Sequence, residues 1–202
     1  MRYGLKKRLI FGASLILLLA LYIFKNLSMS TRIFGVLAGL WVFYFIDHAF
    51  DNEFTEFHYL LLSILLLFGI LLSPLYFIYD SYDKVLHLIL PIIGCVLIFY
   101  IINKKNLTLQ WKLFITFIFI VSFIALHEIG EYLMDLLWDL RLQGVYLRDI
   151  TGLEKFDLVL DKNDDTMIDM ILGVIGSLIF ISWKVITHYY QKHFVEEKPI
   201  KK

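Results

Sequence analysis

The chain alternates long apolar runs with short polar breaks. Six runs stand out, at 9–24, 33–50, 59–79, 85–102, 113–133 and 165–183. Apolar residues are continuous within each run rather than recurring at every second position, which selects helix over strand. A helix crossing the bilayer core needs ~20 residues, with a usual range of about 17–25. Backbone polar groups inside lipid must be bonded within the segment, which again selects helices. The pattern predicts an all-α polytopic membrane protein, with about six transmembrane helices in one bundle. It predicts a single transmembrane domain over 1–202, with an extracytoplasmic loop at about 134–164. The alternating pieces 141–147 and 155–160 in that loop predict a small hairpin. Pro74 and Pro91 predict kinks, and Gly173, Gly176 and Ser177 give the last helix a small-residue face for close packing. Ahead of the first run, Lys6, Lys7 and Arg8 have the form of a signal peptide's charged start. Large residues crowd the end of that run, so a retained anchor helix is expected.

Composition narrows the class. The chain is 59% hydrophobic and 19% charged, against about 45–50% and about 25% for soluble domains. A soluble globule, a disordered chain and a disulfide scaffold are excluded. The only cysteine, Cys95, lies inside an apolar run, so no internal disulfide forms. Lys and Arg number 19 and Asp and Glu 19, for a net charge of zero. A nucleic-acid partner, which requires a basic surface, is not expected; membrane lipid is.

The positive charges predict the orientation. Arg2, Lys6, Lys7, Arg8, Lys104, Lys105, Lys112, Lys184, Lys192, Lys198, Lys201 and Lys202 fall on the side of the termini. By the positive-inside rule both termini are cytoplasmic in a multi-pass plasma-membrane protein. Trp111 and Trp183 suit the inner interface, and Tyr76, Tyr79 and Tyr82 the outer one.

Candidate chemistry enters because three runs reach spanning length only by drawing in ionisable groups: Asp47 in the second, His127, Glu128 and Glu131 in the fifth, Asp165 and Asp169 in the sixth. Such groups cost about 2.5–3.5 kcal/mol each at a helix centre on insertion scales, which makes them functional candidates. Counting from Asn103, Lys112 and Lys184 at a rise of ~1.5 Å per residue, His87, His127 and Asp169 lie ~22–24 Å up. Asp83, Glu131 and Asp165 lie ~28–30 Å up. Each helix brings a pair at i, i+4, on one face. Imidazoles and carboxylates in a half-apolar pocket suit a divalent metal: Zn²⁺ with an open position, or Mn²⁺ or Fe²⁺ with more oxygens. The expected ligands are His87, His127, Glu131 and Asp169. Glu128, one residue past His127, faces elsewhere and is expected, with Asp165, as general base or acid. Asp83 and Asp164 are expected as supporting groups behind the ligands.

Plainer readings stand beside these. Acids near helix ends often snorkel, and Lys84 or Arg141 can neutralise carboxylates as simple salt bridges. The fifth-run helix lacks the second His of the zinc-protease motif, whose place Glu131 takes. Asp161, Lys162, Asn163, Asp164 and Asp165 begin like a calcium loop, but Thr166 and Leu172 stand where Gly and Glu are required. Asp47, His48 and Asp51 are expected as a separate cytoplasmic patch.

Tyr82, Asp83, Lys84 and His87 resemble the Asp-Lys-x-x-His signature of VanZ-like membrane proteins. Asp164 to Met170, followed by Gly173 and Gly176, resembles their last helix. His127, Glu128 and Glu131, with Asp165, Thr166, Asp169 and Met170, are more similar to a related uncharacterised bacterial inner-membrane family with His-Glu-x-x-Glu and Asp-Thr-x-x-Asp-Met helices. The resemblance covers about 80–180 and implies a polytopic envelope protein with these site residues. His127 and Glu131 depart from the usual VanZ pattern, so it does not carry over an antibiotic-resistance role. The expected function is a metal-dependent hydrolase or transferase on a lipid-linked or envelope substrate. The alternatives are a non-enzymatic binder of envelope lipid or drug, and an ion or proton transporter. No acidic path crosses the middle of the bilayer, which ranks transport last.

Overall fold

A computed structural model of the chain describes residues 2–24, 27–138, 141–148 and 156–195. It contains α1 (Arg2–Phe24), α2 (Leu27–Ala49), α3 (Glu56–Leu66), α4 (Tyr82–Asn103), α5 (Leu109–Trp138) and α6 (Lys162–Tyr190). One antiparallel hairpin pairs β1 (Val145–Arg148) with β2 (Phe156–Leu160). The chain is therefore a helical membrane protein. Among the described residues, four stretches are long and apolar enough to cross a bilayer: Met29–Ala49, Tyr82–Asn103, Leu109–Trp138 and Lys162–His193. Glu56–Leu71 is apolar but shorter.

Two expectations about the elements are corrected. The apolar run 59–79 is not one helix. An α-helical part is followed by a π turn at Leu67–Leu71 and a 3₁₀ turn at Ser73–Phe77. Pro74 has no N–H to donate and disfavours helix in the residue before it, so the helix ends rather than kinks. The loop expected from 134 begins later, because α5 continues to Trp138 and keeps Asp135 buried on it. The expected hairpin is present, Val145 pairing with Leu160 and Arg148 with Phe156.

The chain divides into two compact units, 1–75 and 76–202. In the first, Ile10, Val36, Leu40, Leu62 and Leu66 form the core. α1 and α2 run antiparallel, joined by Lys6 Nζ on Asp47 Oδ2 at 2.6 Å and by Trp41 Nε1 donating to Ser14 Oγ at 3.2 Å. Thr55 caps α3, its N–H donating to His58 Nδ1 at 3.2 Å, a histidine variant of the capping box.

In the second unit, α4 and α6 lie parallel and α5 runs the other way. Cys95, Phe99, Leu113, Ile120, Ile124 and Phe180 fill the seam. Phe114, Phe119, Phe123 and Leu126 stay exposed on α5. A helix apolar on its outer face as well is one that meets lipid. Between such helices the drive is close packing rather than water exclusion. A Cβ on Gly176 would overlap the Leu88 carbonyl oxygen, so glycine sets the closeness of α4 and α6. The calcium-like run is a helix cap: Asp161 accepts from the N–H groups of Asn163 and Asp164, both at 3.0 Å.

Candidate functional site

The first two turns of α4 supply Asp83, Lys84 and His87. The C-terminal half of α5 supplies His127, Glu128, Glu131 and Asp135. The first two turns of α6 supply Asp165, Thr166 and Asp169. The parallel pairing of α4 and α6 sets these turns side by side, and the reversed α5 brings its far end to the same level.

Lys84 is the hub. Its ammonium donates to Asp169 Oδ1 at 2.8 Å and Oδ2 at 2.9 Å, to Asp83 Oδ2 at 3.0 Å and to Asp165 Oδ1. Asp165 and Asp169 are buried. His87 stands beside this group. Its Nε2 lies 3.5 Å from Asp83 Oδ1 and 4.0 Å from Asp169 Oδ2. Its Nδ1 lies 3.8 Å from Glu128 Oε1. The His127 ring meets the His87 ring edge-on at 5.6 Å, and its Nδ1 is 3.8 Å from Glu131 Oε1.

The sequence reading and the geometry differ at Glu128. It was expected to face away from the site, yet its side chain is 5% exposed while that of His127 is 48% exposed. Successive helical residues are about 100° apart, and here Glu128, not His127, takes the inward bearing. Thr166 hydrogen-bonds the Glu128 carboxylate. Glu128 Oε1 has no hydrogen-bond partner although buried, and no other buried side-chain nitrogen or oxygen among the described residues is in that state.

The expected quartet therefore does not gather as one set. Two groups have ligand atoms within 4.8 Å of one another: His87, His127 and Glu128, and Asp83, His87 and Asp169. Glu131 belongs to neither. Asp164 is exposed in the capping turn of α6, outside the cluster. Asp165 is engaged on both oxygens, by Lys84 and by the Gly144 N–H at 2.8 Å.

Sequence reasoning missed the support for the hairpin neck. Asp135 accepts from Leu142 N at 2.6 Å, Gln143 N at 3.2 Å and Lys162 Nζ at 2.9 Å. Gln143 Nε2 donates to Thr166 Oγ1 at 3.1 Å. Tyr76 donates from its hydroxyl to the carbonyls of Leu142, at 3.3 Å, and Gly144. Asp135 follows Glu128 by seven residues and Glu131 by four, a helical stripe visible in the sequence. In the first unit, Asp47 belongs to a separate network with Lys6, Phe54 and Tyr59.

These features define a helical membrane protein with a buried carboxylate–imidazole cluster at the end of three packed helices. The family described as predicted membrane protein (DUF2238) matches residues 7–190, and the chain belongs to it. The match runs across both units, so the uncharacterised family extends well beyond the motif-bearing helices. No curated protein and no solved structure matches the chain.

Proposed function

We propose that this membrane protein holds a divalent cation on His87, His127 and Glu128, and that it is a hydrolase or transferase acting on a lipid-linked or envelope substrate. The observation that carries the reading is the unpartnered Glu128 Oε1, buried and 3.8 Å from His87 Nδ1. A buried acceptor without a partner costs roughly 1–3 kcal/mol, more when charged. A cation between the three donors removes that cost. The remaining groups support this assignment. Asp83 and Asp169 lie at the far nitrogen of His87, and Glu131 lies at Nδ1 of His127. Carboxylates behind ligating imidazoles fix the ring and raise its basicity. Asp169 and Glu131 thus pass from expected ligands to supporting groups. Glu128 passes from base to ligand, and Asp165 holds the hairpin rather than moving protons.

Two nitrogens and one carboxylate oxygen suit Zn²⁺ best, with Fe²⁺ or Mn²⁺ as rivals. Such an ion polarises a carbonyl or phosphoryl oxygen and generates hydroxide near neutral pH. The likeness of Asp83, Lys84 and His87 to the VanZ signature, and an envelope substrate reached from the outer leaflet, belong to the same proposal. So do six spans and cytoplasmic termini in the plasma membrane.

The test is the metal content of detergent-purified protein by plasma mass spectrometry. Near one ion per chain is expected, lost in His127→Ala and in Glu128→Gln with thermal melting retained. A wild-type chain that takes up no Zn²⁺, Fe²⁺ or Mn²⁺ on reconstitution overturns the reading.

A further inference from the structure

We infer that Lys84 closes the second donor set of the cluster, so that the centre holds one divalent ion and not a pair. The inference rests on the cation reading above for the first ion. The two donor sets share His87, and they use opposite edges of its ring. Nδ1 faces Glu128 Oε1 at 3.8 Å, whereas Nε2 faces Asp83 Oδ1 at 3.5 Å and Asp169 Oδ2 at 4.0 Å. An imidazole flanked in this way, with two acids beyond it, is laid out to bridge two metal ions. The second position, however, already has a cation beside it. The Lys84 ammonium lies 2.8 and 2.9 Å from the two oxygens of Asp169 and 3.0 Å from Asp83 Oδ2, and it also bonds Asp165.

An ammonium has three N–H donors and a single compact charge. Four carboxylate oxygens surround it here, so its donors are fully used. A divalent ion entering between Asp83, His87 and Asp169 would share those oxygens with a positive charge at bonding distance. Repulsion between the two is strong in a half-buried setting, where screening by water is weak. Lys84 is covalently tied to Asp83 and cannot diffuse away, so it wins at ordinary metal concentrations. His87 keeps its Nε2 edge toward Asp83 and Asp169 and turns its Nδ1 edge toward Glu128, where the first ion is proposed.

This limits the chemistry. Two-metal hydrolysis needs ions roughly 3.5–4 Å apart, clamping the attacking and leaving oxygens together. A centre with Lys84 in the second position is confined to one-ion reactions. There a single metal polarises the substrate and Lys84 holds the carboxylates that orient His87. Lys84 is in this sense a positioning and stoichiometry-determining residue.

The test is equilibrium dialysis of detergent-purified protein against Mn²⁺, read by elemental analysis and by electron paramagnetic resonance. The wild-type chain is expected to hold one ion with an isolated-ion spectrum. Lys84→Met is expected to hold two, with the broadened signal of a coupled pair, and Lys84→Met combined with Asp169→Asn to return to one. One ion in both the wild type and Lys84→Met overturns this inference and leaves the first-ion reading standing. No ion in the wild type but one in Lys84→Met, lost with Asp169→Asn, keeps Lys84 as the group that closes the second donor set and overturns both the first-ion reading and the one-ion stoichiometry. No ion in either overturns both. Lys84→Gln is run beside Lys84→Met because removing the ammonium leaves the acids unpaired. If both variants fold only when purified with Mn²⁺, the metal is replacing the lysine, as expected. If neither is recovered with Mn²⁺ present, the second donor set does not accept a metal and the inference falls.

Discussion

Asp47 shows at the scale of one residue why a carboxylate can be fully enclosed in a membrane helix. It is 0% exposed. Three donors reach its carboxylate: Lys6 Nζ at 2.6 Å, Tyr59 Oη at 2.7 Å and Phe54 N at 2.9 Å. Removing one member of a buried pair is far worse than removing both, because the other charge is left unsolvated; the usual loss is about 3–5 kcal/mol. Asp47→Ala should therefore lower the thermal melting temperature in detergent sharply, and Lys6→Met combined with Asp47→Leu should recover most of it. Equal melting of Asp47→Ala and wild type would mean that the pair contributes nothing to the fold. The same scale shows what the sequence concealed. Asp47 was legible as a polar oddity at the end of an apolar run, but Lys6 lies 41 residues earlier and read only as part of a basic start. Lys84 was legible as a neutralising charge but not as a hub. Placing it needs the α4–α6 pairing, which no local pattern specifies. Glu128 was read on the wrong bearing because a helix's i, i+4 logic fixes relative faces and not which face turns inward.

At the scale of elements, the cluster depends on how closely α4 and α6 approach. A Cβ on Gly176 meets the backbone oxygen of Leu88, which cannot rotate away. A Cβ on Gly173 meets the flexible end of Ile124 at 2.5 Å. Overpacking typically costs about 1–3 kcal/mol, more where backbone must move. Gly176→Ala should accordingly spread α4 from α6 and draw Asp165 and Asp169 off Lys84. It should lower both melting temperature and metal uptake, and Gly173→Ala should do so less. The reverse order in a melting series would show that backbone approach does not limit this seam. Apolar continuity was enough to read the existence of these helices, and the small-residue face of α6 was read with them. Their ends were not. Asp161 to Asp165 begins like an ion loop and lacks its Gly and Glu, but its role as a helix cap appears only in the structure, and α5 runs on through Met134 to Trp138 past the charged Glu131 and Asp135 that suggested its end. The hairpin was legible because alternation is a two-residue signal that survives even in short strands.

For the molecule in its membrane, the decisive matter is which compartment the cluster faces. In the second unit the ionisable turns and the hairpin share one end. Lys104, Lys105 and Lys112 mark the other end, where α4 turns into α5. That separation is what the positive-inside rule uses, and it makes the orientation testable within this unit alone. Cys95 is buried, so cysteines introduced at exposed positions are labelled against a low background. Val159, on β2, and Leu107, before α5, are both exposed. An impermeant maleimide added to intact cells should label Val159→Cys, whereas Leu107→Cys should react only after permeabilisation. The opposite pattern would turn the cluster toward the cytoplasm. The metal would then come from the buffered cytosolic pool, and an outer-leaflet substrate would be excluded even if the ion itself binds. Orientation therefore decides between substrates before any reaction is assayed. It does so independently of the metal titrations, because labelling at Val159 and Leu107 touches neither His87, His127 and Glu128 nor Lys84.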